Sequence, residues 1–99
     1  MSLEQLPRSE NLVLTAQNTE YSLVIPPAVR AFDFQAREGR DVRVAFVVDG
    51  TFTLGEYFTL KSGNIYYKEP VEHREFSIYF RDPSNAGTTI EFILWEEVG

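Results

Sequence analysis

The sequence predicts a single all-β domain, an antiparallel β-sandwich or jelly roll of about eight short strands. Apolar and polar residues alternate with a period of two, as in residues 75–80, where Phe76, Ile78 and Phe80 share one face. Glycine and proline fall between the apolar runs and not inside them, as expected for turns that connect strands. No window of the sequence carries the i, i+3, i+4, i+7 apolar stripe of an amphipathic helix.

Four strands are predicted in the N-terminal half of the chain. Each is a short apolar or alternating run that ends at a proline, a glycine or a polar stretch. They are residues 12–15, 21–25, 29–36 and 42–48. The second strand is expected to stop before Pro26, because proline lacks the amide hydrogen that a sheet ladder needs. Asp49-Gly50 follows the fourth strand and is predicted to form a type I′ hairpin turn.

The C-terminal half predicts four further strands, residues 57–60, 64–68, 74–80 and 88–95. Ser62-Gly63 predicts a second hairpin, between the first two of them. The whole chain, 1–99, is expected to be one domain, with residues 1–10 a less ordered N-terminal arm. One helical turn is predicted over residues 2–5, where Ser2 and Gln5 have the spacing of a capping box. A small closed barrel is the alternative arrangement of the same strands.

Composition restricts the class of function. The 99 residues include no cysteine, which excludes disulfides and thiolate metal sites. The formal net charge is −6, whereas a nucleic-acid-binding domain usually carries a basic stripe that displaces counterions from phosphates. No apolar run approaches the roughly 20 residues that span a bilayer. Neither a nucleic-acid nor a membrane partner is therefore expected.

Catalytic residues are not expected either. His73 is the single histidine, and it lies between glutamate and arginine before a predicted strand, which is typical of a solvated loop residue. The sequence contains no Gly-x-Ser-x-Gly nucleophile motif and no Asp-x-Asp-x-Asp calcium loop. One histidine cannot supply the several histidines with which cupin-type jelly-roll enzymes bind metal. We therefore predict a protein that is not an enzyme and that has no catalytic, cofactor-binding or metal-ligating residues.

Two predicted strands are apolar on both faces, and this pattern indicates a binding function. A sandwich strand normally shows one polar face to water. Strand 42–48 carries apolar residues on both sides, and in strand 88–95 Ile93 and Trp95 add apolar bulk to the face opposite Phe92. We expect a second copy of the chain to cover these faces. The interface candidates are Ala45, Val47, Tyr79, Ile93 and Trp95. The alternative is that loops of the same chain cover them.

The aromatic residues leave a second binding function open. Several of them could form a flat platform on which sugar rings stack, as in a carbohydrate-binding or receptor-recognition module. They are Tyr57, Tyr66, Tyr67, Tyr79 and Trp95. The same residue types are also common in protein interfaces and in packing. Tyr66 and Tyr67 are adjacent, so they point to opposite faces of their strand and at least one of them lies off the core.

The order of strand and turn phrases resembles small proteins encoded among phage and prophage virion genes. The residues that carry the resemblance are 18–22, Pro26-Pro27, 34–37, 41–46, 57–63, 78–80, 86–91 and Trp95. The resemblance implies an oligomeric β-sandwich accessory protein of a tailed-phage particle, assembled in the bacterial host cytoplasm onto other virion structural proteins of the head or tail. The long charged connection 68–75 departs from that pattern. No functional residues carry over.

Overall fold

A computed structural model describes residues 4–69, 71 and 74–98 as two packed β-sheets. The strands are β1 (Glu4–Leu14), β2 (Tyr21–Ile25), β3 (Val29–Ala36), β4 (Val42–Ala45), β5 (Phe58–Leu60), β6 (Tyr66–Lys68), β7 (Phe76–Arg81) and β8 (Thr88–Val98). This described part of the chain forms no helix, and so no helix long enough to cross a membrane.

The order of the strands is that of a jelly roll. Sheet A has the order β1-β8-β3-β6, and sheet B has the order β2-β7-β4-β5. The strands pair from the outside inward, β1 with β8, β2 with β7, β3 with β6 and β4 with β5, all antiparallel. Such nested pairing is one long hairpin wound into two layers. The predicted fold class, an antiparallel all-β sandwich, is confirmed.

The inner faces of the two sheets supply the core. Alternate side chains of every strand point inward, so Phe32 and Phe34 of β3 meet Phe80 of β7 and Phe92 of β8 between the layers. The ring centroid of Phe34 lies 5.1 Å from that of Phe80 and 5.2 Å from that of Phe92. Tyr66 of β6 stacks on Phe34 from the sheet edge, with centroids 5.0 Å apart. Apolar side chains thus fill the space between the sheets.

The connection between β4 and β5 differs from the prediction. β4 ends at Ala45, and the predicted Asp49-Gly50 hairpin is wrong. A type I′ turn requires positive φ at both central residues, but only Asp49 has it, with φ +65°. Residues 46–57 instead fold back over the outer face of sheet B. The Ser62-Gly63 hairpin is also wrong, because this turn leads from β5 in sheet B to β6 in sheet A.

The N-terminal segment is a strand where a less ordered arm was expected over residues 1–10. β1 begins at Glu4, which lies opposite Val98 of β8. A continuous ladder with β8 along the whole of β1 holds this polar segment. Arg8 adds exposed ion pairs, one with Glu96 of β8 and one with Glu10 of its own strand. The predicted helical turn over residues 2–5 is wrong for 4–5, which belong to β1, and residues 2–3 lie outside the described residues.

Candidate interaction surfaces

A shallow groove runs along the outer face of sheet A. It consists of two adjoining hollows that share Asp33, one of about 360 Å³ between Tyr67 and Trp95 and one of about 290 Å³ between Ile65 and Ile93. Each hollow has the volume of on the order of ten water molecules. We call this surface the sheet A groove, and the residues that line it include Asp33, Ile65, Tyr67, Glu69, Ile93 and Trp95.

Strand register explains the shape of the groove. Asp33 of β3 lies opposite Tyr67 of β6 on one side and opposite Ile93 of β8 on the other, and Ala31 lies opposite Trp95. Residues directly opposite each other on antiparallel strands point to the same face. The short side chains of the central strand β3 therefore form the floor of the groove, and the larger side chains of β6 and β8 form its two sides. Tyr67 is 55% exposed and Ile93 is 39% exposed, whereas Ala31 is buried.

Asp33 is the charged group at the centre of the groove. Burial raises the pKa of Asp33 above its ordinary value, and the nearby backbone amide of Ile93 offsets only part of that rise. Among the residues that the structure describes, no cation forms an ion pair with Asp33. Carboxylates with perturbed pKa values in a cleft are enriched at functional sites.

Replacing Asp33 by asparagine is expected to raise the free energy of unfolding at pH 7 and to have little effect in acid. Because the pKa of Asp33 is higher in the folded chain than in the unfolded chain, ionisation of Asp33 destabilises the fold at any pH above the folded pKa. This destabilisation disappears as the pH falls below the pKa in the unfolded chain, about 3.9, because Asp33 is then protonated in both states. The gain should stay below about 1 kcal/mol, because Asp33 is only partly buried. Urea unfolding at both pH values measures it, and a variant less stable than the parent at pH 7 would contradict the expectation.

A second surface lies over the outer face of sheet B. Residues 46–57 cover part of that face, where they contact Arg43, Ala45 and Arg81, and we call this segment the flap. Its large apolar side chains are exposed. They are Phe46, Val47, Val48, Phe52, Leu54 and Tyr57. Single exposed apolar residues are common on soluble proteins, but contiguous apolar patches usually mark an interaction site.

Buried polar contacts hold the flap in place. The carboxylate of Glu20, just before β2, accepts hydrogen bonds from the amide of Asp49 at 2.7 Å, from the amide of Thr51 at 3.1 Å and from the Thr51 hydroxyl. Arg81 of β7 donates its Nε–H to the Thr51 carbonyl at 2.7 Å, and its guanidinium lies 4.2 Å from the ring centroid of Phe52. These polar contacts fix the flap backbone while Val47, Val48 and Leu54 stay exposed.

Close packing at Gly50 completes the seating of the flap. Gly50 is buried, and a Cβ atom there would lie 2.7 Å from the Cβ of Ala45 and 2.9 Å from Cγ2 of Val47. Only a residue without a side chain lets the flap approach β4 this closely. Glycine at this position therefore allows the flap to lie close against β4, and it does not form the predicted hairpin turn.

The predicted interface residues are divided between the two outer faces and the interior. Ile93 and Trp95 come together in the sheet A groove, Val47 is exposed in the flap, and Tyr79 is half-buried on the outer face of β7. Ala45 is fully buried, because the chain's own flap covers it, so it offers no surface to a partner. The alternative of cover by the chain's own loops thus applies to β4, whereas Ile93 of β8 stays exposed.

Some residues of these surfaces had no clear signal in the sequence. Asp33 alternates with Phe32 and Phe34, which is also the pattern of an ordinary solvent-facing carboxylate. Glu20 lies 29 positions from Asp49 along the chain, and nothing in the sequence pattern joins them. The available signal for the flap was the concentration of large apolar residues in 46–57. His73 lies outside the described residues, within which no group of three His, Asp or Glu side chains could hold a metal ion.

Comparison with known proteins supports the fold. No protein-family model matches the chain, and no curated protein matches it in sequence. Among solved structures the chain is similar to a de novo designed double-stranded β-helix determined by solution NMR, with a TM-score of 0.55 and 21% sequence identity. The similarity covers 92% of this chain and 99% of that chain. At this identity the likeness concerns the fold alone.

Proposed function

We propose that this chain is a non-enzymatic assembly protein that associates with further copies of itself through the sheet A groove and the flap. The observation that carries the proposal is that each outer face of the sandwich presents large exposed apolar side chains on an ordered backbone. Removing such side chains from water is favourable by roughly 25 cal/mol per Å² of apolar surface.

The anchoring of the flap supports a binding role. Glu20 and Arg81 hold the flap backbone with contacts that leave Val48 and Leu54 exposed. A surface that is already ordered loses little conformational entropy when a partner binds, which increases the affinity for a given contact area. Apolar side chains held outward on a fixed backbone are therefore better suited to binding than to packing within the chain.

The setting that we propose is a phage or prophage particle, with this chain as a head or tail accessory protein. The resemblance of its strand and turn phrases to small virion proteins supports this setting, and jelly rolls are common among viral capsid domains. Mass spectrometry of purified induced particles tests it. Absence of the chain from particles whose genome encodes it would contradict the virion role without affecting self-association.

Sedimentation velocity over a concentration series tests self-association. We expect species larger than a monomer at micromolar concentrations, and Leu54→Ser is expected to weaken the association about tenfold or more, because it removes an exposed leucine from the flap. Leu6→Ser is the matched control, since Leu6 is 54% exposed and Leu54 is 57% exposed, but Leu6 lies on β1, outside both surfaces. A chain that remains monomeric at high micromolar concentration would contradict the proposal, and so would equal losses in the two variants.

Glycan binding at the sheet A groove is the second candidate function. Tyr67 and Trp95 flank the hollow that contains Asp33 and Glu69, and aromatic rings beside carboxylates suit sugars, which stack their apolar faces and donate hydrogen bonds from their hydroxyl groups. A glycan array followed by calorimetry tests this function. Binding that Tyr67→Ala abolishes would favour it over assembly, and an array without any binder would remove it.

A further inference from the structure

Arg43 lies on the flap side of the molecule, and within the described part of the chain no carboxylate forms an ion pair with it. It lies on the outer face of β4, directly opposite Arg81 of β7, and its guanidinium is 4.5 Å from the ring centroid of Tyr57 in the flap. Although Asp49 and Glu56 lie in the flap, neither forms an ion pair with Arg43. Like charges directly opposite each other on paired strands destabilise a sheet. This arrangement leaves Arg43 able to gain from an anionic partner.

The partners of Arg81 reinforce this point. Arg81 is buried, and it is held by the carbonyl of Thr51 and the side-chain oxygen of Asn18. Burial lowers the pKa of Arg81, and the nearby positive charge of Arg43 lowers it further. Because Arg81 is buried and already hydrogen-bonded within the chain, Arg43 is the cation that an incoming carboxylate can reach.

The sheet A groove has the complementary character. Asp33 is a carboxylate without a cation partner in the described part of the chain, and it lies between apolar and aromatic walls. Of the neighbouring acids of the same face, Glu91 pairs with Arg37, and Glu69 adds a second carboxylate beside Asp33. The groove thus offers negative charge, with Asp33 at its centre, surrounded by apolar surface, and the flap side offers the positive charge of Arg43 surrounded by apolar surface.

We propose that the sheet A groove of one copy receives the flap of a second copy, with Arg43 of the second copy paired to Asp33 of the first. This inference rests on the proposed function, for which it names the contact. The apolar flap side chains fill the hollows on either side of Asp33, and the ion pair fixes the register. Complementary charge matters here because the formal net charge of −6 makes two copies repel each other at long range.

The geometry also sets the type of assembly. The groove lies on the outer face of sheet A and the flap on the outer face of sheet B, so the two surfaces face away from each other in one molecule. A contact between two different surfaces is heterologous, and each copy uses its groove on one neighbour and its flap on another. Such a contact builds a closed ring or a continuing stack.

Charge reversal tests the pairing. Asp33→Arg and Arg43→Glu are each expected to weaken association about tenfold or more in sedimentation velocity, because each places like charges together in the contact. An equimolar mixture of the two variants is expected to associate again into species that contain both in equal amounts. The double variant D33R/R43E is expected to associate alone, within a few-fold of the parent.

Matched controls separate this effect from changes in net charge or folding. Lys61→Glu and Glu75→Arg make the same charge changes at exposed positions outside the two surfaces and are expected to leave association unchanged. The milder substitutions Asp33→Asn and Arg43→Gln should weaken association in the same direction by a smaller factor. Circular dichroism and a thermal melt of each variant establish that it is folded before sedimentation.

The outcomes distinguish the inference from the proposed function. If the parent chain associates but both charge reversals associate equally well, or if the mixture stays monomeric, the Asp33–Arg43 contact is wrong while self-association stands. A monomeric parent chain at high micromolar concentration overturns both. Recovery in the mixture and in the double variant, with loss in each single variant, supports the contact.

Discussion

Replacing Phe34 by alanine is expected to lower the free energy of unfolding by about 3–5 kcal/mol. Phe34 is fully buried between the sheets, where its ring contacts Phe80, Phe92 and Tyr66. Truncation removes the transfer free energy of the ring and leaves a cavity that rings from three other strands cannot close without moving. A domain of this size has a total stability of about 5–15 kcal/mol, so the loss is a large fraction of it.

Urea unfolding followed by circular dichroism measures the effect, and Phe52→Ala is the matched control. Phe52 is exposed in the flap, where its ring lies against the guanidinium of Arg81. A cation–π contact to a buried guanidinium contributes about 2 kcal/mol, so the control should lose no more than about 2 kcal/mol. Equal losses of unfolding free energy for the two substitutions would show that Phe34 contributes no more to the stability of the core than an exposed flap residue does.

The strands were predictable because their signals are local. β2 and β3 have the predicted bounds, since Pro26-Pro27 ends one run and Arg37 begins a polar stretch after the other. Alternation states which side chains of a strand share a face, but it does not state which strand lies beside which. The nested jelly-roll pairing therefore could not be derived from the pattern. β4 and β5 were predicted too long for a related reason, because the apolar residues after Ala45 belong to the flap and not to a ladder.

The candidate surfaces were predictable only in part. Apolar residues on both faces of β8 indicated Ile93 and Trp95, and both lie in the sheet A groove. The roles of Asp33 and Arg43 depend on neighbours that come from other strands, and those neighbours are fixed by the sheet order. Ala45 was assigned to the surface because its strand is apolar on both faces, but the flap that covers it approaches through Gly50, whose closeness to β4 is a tertiary property.

Replacing Glu20 by alanine is expected to free the flap and to lower stability by about 2–4 kcal/mol. The substitution leaves the amides of Asp49 and Thr51 and the Thr51 hydroxyl without their acceptor, and hydrogen bonds to a charged group contribute about 1.5–3 kcal/mol each without adding fully. Glu20→Gln keeps one acceptor oxygen and should lose about half as much. Urea unfolding measures the global loss.

Amide hydrogen exchange shows where the loss of stability falls. If Glu20 holds the flap in place, exchange of the Asp49 and Thr51 amides should accelerate by about 100-fold in Glu20→Ala. The amides of the β3–β8 ladder should change less, because a connecting segment can open without the sheets separating. Lys61→Ala is the control, since Lys61 pairs with Asp41 at the surface, outside both candidate surfaces, and should change stability by less than about 1 kcal/mol. Self-association should weaken together with flap protection in the Glu20 variants, because a flap that opens must be ordered again before it can bind. Association that persists after the flap amides lose their protection would mean that the flap is not part of the contact.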